Sequence, residues 1–584
     1  MNGFYNVLKP TGYTSSDVVI KLRGIIRAQT GLKVKCGHLG TLDPGGSGVL
    51  PIAVGVATKL FDELGGSKKI YRAQATLGVE TDTLDSYGNV LREIDTKDIP
   101  VLSEEKIIEV FKSFIGVQEQ LPPKYSAKSI DGKRAYDLAR KGVDFEVKTQ
   151  KIEIFDVKLL SYEENRITFD LTCSGGTYVR SFVRDLGEKL GAPAYMSYII
   201  RLKSAGFDIE NAVTLEEIES DLNSGFISLE NYAKTLPSIN INDHKKEFGV
   251  GGEIPCEYEG LVGIYADRFI GIGKGEEGFL KRAAIPDEEV LNVEEFDKTI
   301  FPQKISLALG YFDAMHLGHA KIIKELKSTH GIPAIFTLKG SINDYNKNYG
   351  DLYSFEDRTN SYFSAGVKKI FYEEVTEDFM NTEPKDFLDL LTENINVGAF
   401  VCGGDYTFGK KASGDVEFLR AYAGSKGIEL KVVDILTIDG EKISSRSIKE
   451  AIKSGDVEKA NSLLGYVYSV RGKVVSGRKE GRRIGYPTVN VNLDRSLVTL
   501  KEGVYHTKTR IKGEYYDCVT NVGAHPTFED ENFNAETHII GYEGDLYGKT
   551  IKIEFIKYLR GIKKFTSAAE LKKQIAKDIE EIKK

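Results

Sequence analysis

The chain has 584 residues, of which 41% are hydrophobic and 28% charged, so it can bury several cores; at about 150 residues per domain, roughly four domains are expected. A net charge of −7 excludes wholesale coating of nucleic acid, although basic clusters at Lys68, Lys69 and Arg72 and at Lys128, Lys133, Arg134, Arg140 and Lys141 keep RNA binding open for the first half. Five cysteines without a CxxC pair exclude a disulfide framework or zinc site, and neither a basic-then-apolar leader nor a run of about 18 apolar residues is present, so a soluble, cytoplasmic chain without membrane contact is expected.

In chain order, GHLGTLDPGGSGVLPIAVG places His38 and Asp43 in a loop crowded with glycines, and Pro44 biases Asp43 toward extended backbone. Taken alone, such a segment is a turn without chemistry. After Tyr178, Val179, Phe182, Val183, Leu186 and Leu190 recur at helical spacing, which puts Arg180 and Arg184 on other faces than the apolar stripe. Residues 235 to 285 alternate like a small β unit. The acidic, proline-bearing stretch 281 to 303 marks the main break near Pro302.

Beyond it, KISLALGYFDAMHLGHAKIIKELK predicts a buried strand over Ile305 to Leu309, a tight turn, and a helix with Ile322, Ile323 and Leu326 on one face. His316 and His319, separated by Leu317 and Gly318, then fall at the helix start, where backbone N–H groups meet phosphate. EAIKSGDVEKANSLL reads as helix up to a second break near Leu464. The remainder alternates like an antiparallel β-barrel and closes on the helical AAELKKQIAKDIEEI.

Five blocks in order resemble the TruB family of tRNA pseudouridine synthases: KPTGYTS, GHLGTLDP, YRAQATLGVETDTLDSYG, PPKYSAKSIDGKRAYDLARKG and GGTYVRSFVRDLGEKLG. The resemblance implies uridine isomerisation in the T loop of tRNA, at position 55, with no cofactor. It also implies that Asp43 is the nucleophile, that Arg180 pairs with it, and that His38, Tyr71, Tyr178 and Leu202 bind RNA or line the uracil pocket. One departure lies at Ser126, Ala127, Lys128 and Ser129, where a commonly basic position is hydroxylic.

The second half resembles the RibF-type riboflavin kinase/FAD synthetase. CGGDYTFGKKASGD and KISSRSIKEAIKSGDVEKANSLLG accompany the HxGH segment. The resemblance implies a nucleotide site of His316, Gly318, His319, Ser444, Ser445 and Lys449. FTLKGS replaces the family's FxPHP, and Lys449 stands where the family has arginine. In the last domain PTVN matches PTAN, implying Thr488 as the magnesium ligand, Asn490 at the nucleotide phosphates and Glu536 as catalytic base, with Mg2+, ATP, riboflavin and FMN as ligands.

The expected architecture is multidomain α/β and β. It comprises a mixed-sheet synthase domain (1–232), a PUA-like RNA-binding β tail (233–290), a doubly wound HxGH nucleotidyltransferase (303–464) and a β-barrel flavokinase (465–584). Two alternatives stay open: an inactive FAD synthetase domain, and a tRNA-binding or tRNA-folding module.

Overall fold

The computed structural model describes the chain except residues 124, 126–128, 131–132, 135–146, 342–349, 439, 476–484, 495, 512–513, 525–532 and 584. Ser126 to Lys128, Arg140 and Lys141 lie outside the described residues.

A ten-stranded mixed sheet organises the first half. Its centre is Ser47–Val54, Ala194–Ser204 and Lys69–Leu77; the first two run parallel and the last two antiparallel. The strands alternate buried and half-buried residues, and Val179, Phe182, Val183, Leu186 and Leu190 of the helix Val179–Leu190 pack on one face, as their spacing predicts. Four further strands, Ser238–Asn240, Gly260–Tyr265, Phe269–Glu276 and Phe279–Ala284, form the separate small sheet.

The next sheet is six-stranded and parallel. Its order is Glu289–Asn292, Lys369–Glu374, Ile332–Lys339, Ile305–Leu309, Val397–Gly403, Glu429–Val433. Apart from the edge strand Glu289–Asn292, the chain enters at the centre, builds outward on one side and then on the other. That reversal leaves a crevice beyond the carboxyl end of Ile305–Leu309, where open α/β sheets place ligands.

This order corrects the break expected near Pro302. The change of sheet falls between Ala284 and Glu289, because the acidic segment that reads as a linker supplies an edge strand. The Glu289 side chain, 8% exposed, is ion-paired with Lys369 and lies 3.3 Å from Arg268 in a turn of the small sheet. Asp297 pairs with Lys245 at 3.0 Å, so the segment is a packed joint.

Six antiparallel strands close the final barrel in the order Ser469–Val475, Thr488–Asn492, Phe533–Ile539, Glu514–Ala524, Gly503–Ile511, Thr550–Arg560. Buried Thr507, Thr520 and Thr537 link hydroxyl to hydroxyl at 2.6 and 2.9 Å, which satisfies polar groups among the apolar ones. The change of periodicity at Leu464 is present, but the hydrophobic core does not divide there. Ile448, Ile452, Ala460 and Leu463 of the two preceding helices pack in one cluster with Tyr505, Val522 and Phe555 of the barrel. Among the described residues no helix is long and apolar enough to cross a membrane.

Candidate active sites

Asp43 sits in a loop held from several sides. Gly46 N–H donates to the Asp43 carbonyl (2.9 Å) and Gly12 N–H to that of Pro44 (2.8 Å). The buried Lys9 ammonium donates to the carbonyls of Gly46 (2.5 Å) and Pro10 (3.0 Å). Burial pushes Lys9 down to about 8, an effect the Asp43 carboxylate opposes. Arg201, fully buried, donates to the carbonyls of Val49 (2.7 Å), Gly40 (3.1 Å) and Thr41 (3.2 Å). Gly48, at φ +107°, is needed where that strand crosses, since a Cβ there would lie 2.3 Å from the Arg201 carbonyl oxygen.

The Asp43 carboxylate is 2.7 Å from Arg180 Nη2, and the two side chains differ sharply in exposure, 41% against 6%. Arg180 is off the apolar stripe but not solvated, because the first turn of its helix faces the Asp43 loop. Its Nη1 donates to the Thr83 carbonyl (2.9 Å) and lies 3.6 Å from Asp85 Oδ2, and its Nη2 also donates to the Tyr125 carbonyl (3.0 Å). A buried cation thus presents a half-exposed anion to solvent. Tyr178 precedes the helix, and Gln120 bonds both its N–H (2.9 Å) and its C=O (3.0 Å).

Tyr71 is buried, and burial raises its phenol. His38 is lowered by burial and then by the Arg201 charge, so its imidazole is neutral; its buried Nδ1 has no hydrogen-bond partner. Leu202 is half-buried on the strand that carries Arg201. Arg72 is 2.8 Å from Asp170, and Lys69 is buried and donates to the Gly65 carbonyl, so two of that cluster's three charges are committed within the fold.

Lys9 and Arg201 had no role assigned from sequence. The signal for Arg201 is its register, since strand alternation puts it on the buried face with Ile199. An Arg201→Lys variant keeps the charge but not the three-carbonyl fork. It is expected to lower the rate constant at saturating RNA by about tenfold to a hundredfold, read in single-turnover kinetics, with RNA affinity little changed.

In the six-stranded sheet, His316 caps the helix Leu317–Leu326, its Nδ1 accepting the His319 N–H at 3.2 Å. His319 Nδ1 donates to the Ala314 carbonyl at 2.5 Å, and the two rings stack with centroids 3.7 Å apart. His316 therefore carries its proton on Nε2, while His319 offers an Nε2 lone pair. Gly318 lies close to Ile443, just before Ser444, whose side chain caps the helix Ser445–Ser454; two helix starts thus meet at the crevice.

Lys449 is directed inward, 2.5 Å from the buried Asp313 carboxylate, because helical register places it beside Ile448 and Ile452 among the buried residues. Burial brings His316 down to about 2 and His319 to about 4. Both folded values lie below the unfolded one, so their stability contribution is complete above about 6.5 and is lost as pH falls. A melting series is expected to show the second half losing stability from about pH 6.5 toward 4, less so in His319→Gln.

In the barrel Thr488 Oγ1 donates to Glu536 Oε1 at 2.8 Å, and Asn490 and Glu536 are direct cross-strand partners. Side-chain alternation puts these three on the face opposite the buried Val491 and Thr537. Among the described residues no group of three or more His, Cys, Asp or Glu side chains could cage a metal. Arg560 holds Asp578 of the C-terminal helix Ala568–Ile582 with Nη2 at 2.8 Å and is structural.

A pseudouridine synthase sheet bearing an arginine-held aspartate thus precedes two nucleotide-handling folds in one polypeptide. Family models agree: residues 27–179 match the TruB family pseudouridylate synthase N-terminal domain, 298–447 the FAD synthetase and 464–584 the riboflavin kinase. Tyr71, His316 and Glu536 fall within these respective spans.

A tRNA pseudouridine synthase B from Alkaliphilus oremlandii (strain OhILAs) is 43% identical over 220 residues, 38% of this chain and 71% of that protein. The protein of the same name from Clostridium perfringens (strain 13 / Type A) is 36% identical over 302 residues, 50% of this chain and all of that protein. The crystal structure of riboflavin kinase from Trypanosoma brucei matches 19% of this chain and 74% of that chain at 22% identity, with a TM-score of 0.16. Over its first half the chain belongs to the tRNA pseudouridine synthase B family, and its second half carries the FAD synthetase and riboflavin kinase domains, which use ATP.

Proposed function

We propose that the chain converts uridine to pseudouridine at position 55 in the T loop of tRNA, phosphorylates riboflavin to FMN, and adenylylates FMN to FAD. The observation that carries the first activity is the half-exposed Asp43 carboxylate held by buried Arg180. Breaking a glycosidic bond and rejoining the base through carbon needs an ionised nucleophile aimed at a flipped nucleotide. Around Asp43, His38 displaces the base, Tyr71 stacks on the uracil, and Tyr178 and Leu202 complete the pocket wall.

In the barrel Glu536 takes the proton of the riboflavin 5′-hydroxyl as that oxygen attacks the ATP γ-phosphorus and ADP leaves. Because the Thr488 hydroxyl hydrogen is given to Glu536, its lone pairs suit a cation. This fits Mg2+, which is commonly held by phosphates and few side chains and supplies neutralisation of phosphoryl charge. Asn490 contacts the nucleotide phosphates.

At the HxGH site an FMN phosphate oxygen attacks the ATP α-phosphorus and pyrophosphate leaves. The His316 Nε2–H and the N–H groups at Gly318 and Ser445 meet the phosphate charge, with His319 fixing the turn and the Ser444–Ser447 capping box fixing the second helix start. Lys449 acts there as the counter-ion of Asp313. That commitment, with FTLKGS in place of the family segment, favours a second reading in which this domain binds nucleotide without forming FAD. FMN and ATP-magnesium are to be incubated with the intact chain. FAD formation supports transfer; none over many equivalents leaves binding alone. Replacing the uridine at position 55 of a T-arm RNA by cytidine is expected to abolish modification, and pseudouridine elsewhere would contradict the site.

A further inference from the structure

Tyr87 is 74% exposed, more than any other described aromatic side chain, and it stands at the rim of the Asp43 loop. Its ring lies against Gly45, where a Cβ would come within 2.4 Å of Cε2. The backbone beneath the ring is fixed. Tyr87 N–H donates to Asp85 Oδ1 at 3.0 Å, Thr83 Oγ1 donates to the same oxygen at 2.6 Å, and the Leu84 carbonyl accepts from Met196 N–H at 3.1 Å. Leu84 holds φ +61°, which shapes the turn. Asp85 Oδ2 in turn faces the Arg180 that binds Asp43. The ring is therefore registered to the carboxylate, yet its face is left in water.

We infer that Tyr87 is a base-stacking contact for the RNA substrate, receiving the face of a nucleobase neighbouring the target uridine at the rim of the site; the inference rests on the pseudouridine synthase reading. An aromatic ring laid on a glycine gains little burial from folding, whereas a nucleobase covering its open face gains stacking and removes apolar surface from water. Gly45 matters because any side chain there would push the ring away.

The chain contains no tryptophan, so Tyr87→Trp supplies a single tryptophan that can be excited selectively over the tyrosines. In the full chain carrying Asp43→Asn to block turnover, titration with a T-arm stem-loop RNA is expected to quench that fluorescence saturably. With the otherwise unaltered enzyme, Tyr87→Ala is expected to raise KM for the stem-loop by about tenfold or more with kcat within about threefold, and without changing the salt dependence of binding. Tyr87→Phe restores KM, and Tyr87→Leu, which still packs on Gly45 but cannot stack, does not. An unchanged KM in Tyr87→Ala, full rescue by Tyr87→Leu, or unquenched fluorescence at saturating RNA overturns the inference. Turnover by Asp43→Asn alone would instead sink the nucleophile assignment and leave the Tyr87 titration to stand separately.

Discussion

Arg180→Met is expected to cut pseudouridine formation by about a thousandfold or more and to destabilise the first half by about 3 kcal/mol. The guanidinium is the only group placed between Asp43, at 2.7 Å, and Asp85, at 3.6 Å, among the ion pairs of the described residues, and it also bonds the carbonyls of Thr83 and Tyr125. Without it the two carboxylates lose the guanidinium that joins them, and the loop loses its orientation. Arg180→Lys keeps a charge but cannot reach both acids, and should recover stability more than rate. Single-turnover rates and denaturant melts check both parts, and a variant with near-normal rate would remove Arg180 from the account.

The second large effect is expected from Lys449→Met. Lys449 and Asp313 are both buried, and removing one partner of such a pair costs about 3–5 kcal/mol, on the order of 10 °C in the melting of the second half. Burial already raises the Asp313 carboxyl, although Lys449 opposes that rise. With the ammonium gone, Asp313 titrates higher still, so the variant's deficit should shrink as pH falls and Asp313 becomes neutral. Asp313→Asn combined with Lys449→Met is expected to recover most of the loss. Both flavin activities should fail at one lowered temperature, because the helix carrying Lys449 shares its core with the barrel. Separate inactivation temperatures would contradict the shared core.

The sequence was most informative where period and punctuation agreed. The strand Ile305–Leu309 and the buried Ile322, Ile323 and Leu326 follow from apolar spacing, and the helix Ala568–Ile582 lies where its sequence reads as helical. The pairing of Asp43 with Arg180 was legible only through resemblance, since they are far apart in sequence and meet across a loop and a helix start. Less legible were contacts that join elements. Arg201 and Lys9 serve backbone carbonyls, which leave no pattern of side-chain types. Glu289 hides an edge strand inside an acidic stretch, because a buried acid is tolerated once Lys369 and Arg268 neutralise it. Lys449 looked like a phosphate contact because its inward direction depends on Asp313, more than a hundred residues earlier.

The central claim is that three separate sites work in one polypeptide. The most direct test is one reaction series in which the intact chain and its Asp43→Asn, His319→Ala and Glu536→Gln variants each receive T-arm RNA, riboflavin, FMN and ATP-magnesium in separate assays. Loss of pseudouridine alone, FAD formation alone and FMN formation alone, in that order, is the predicted result. Loss of two activities from one substitution in a chain that remains folded, or survival of the activity assigned to the altered residue, would contradict it.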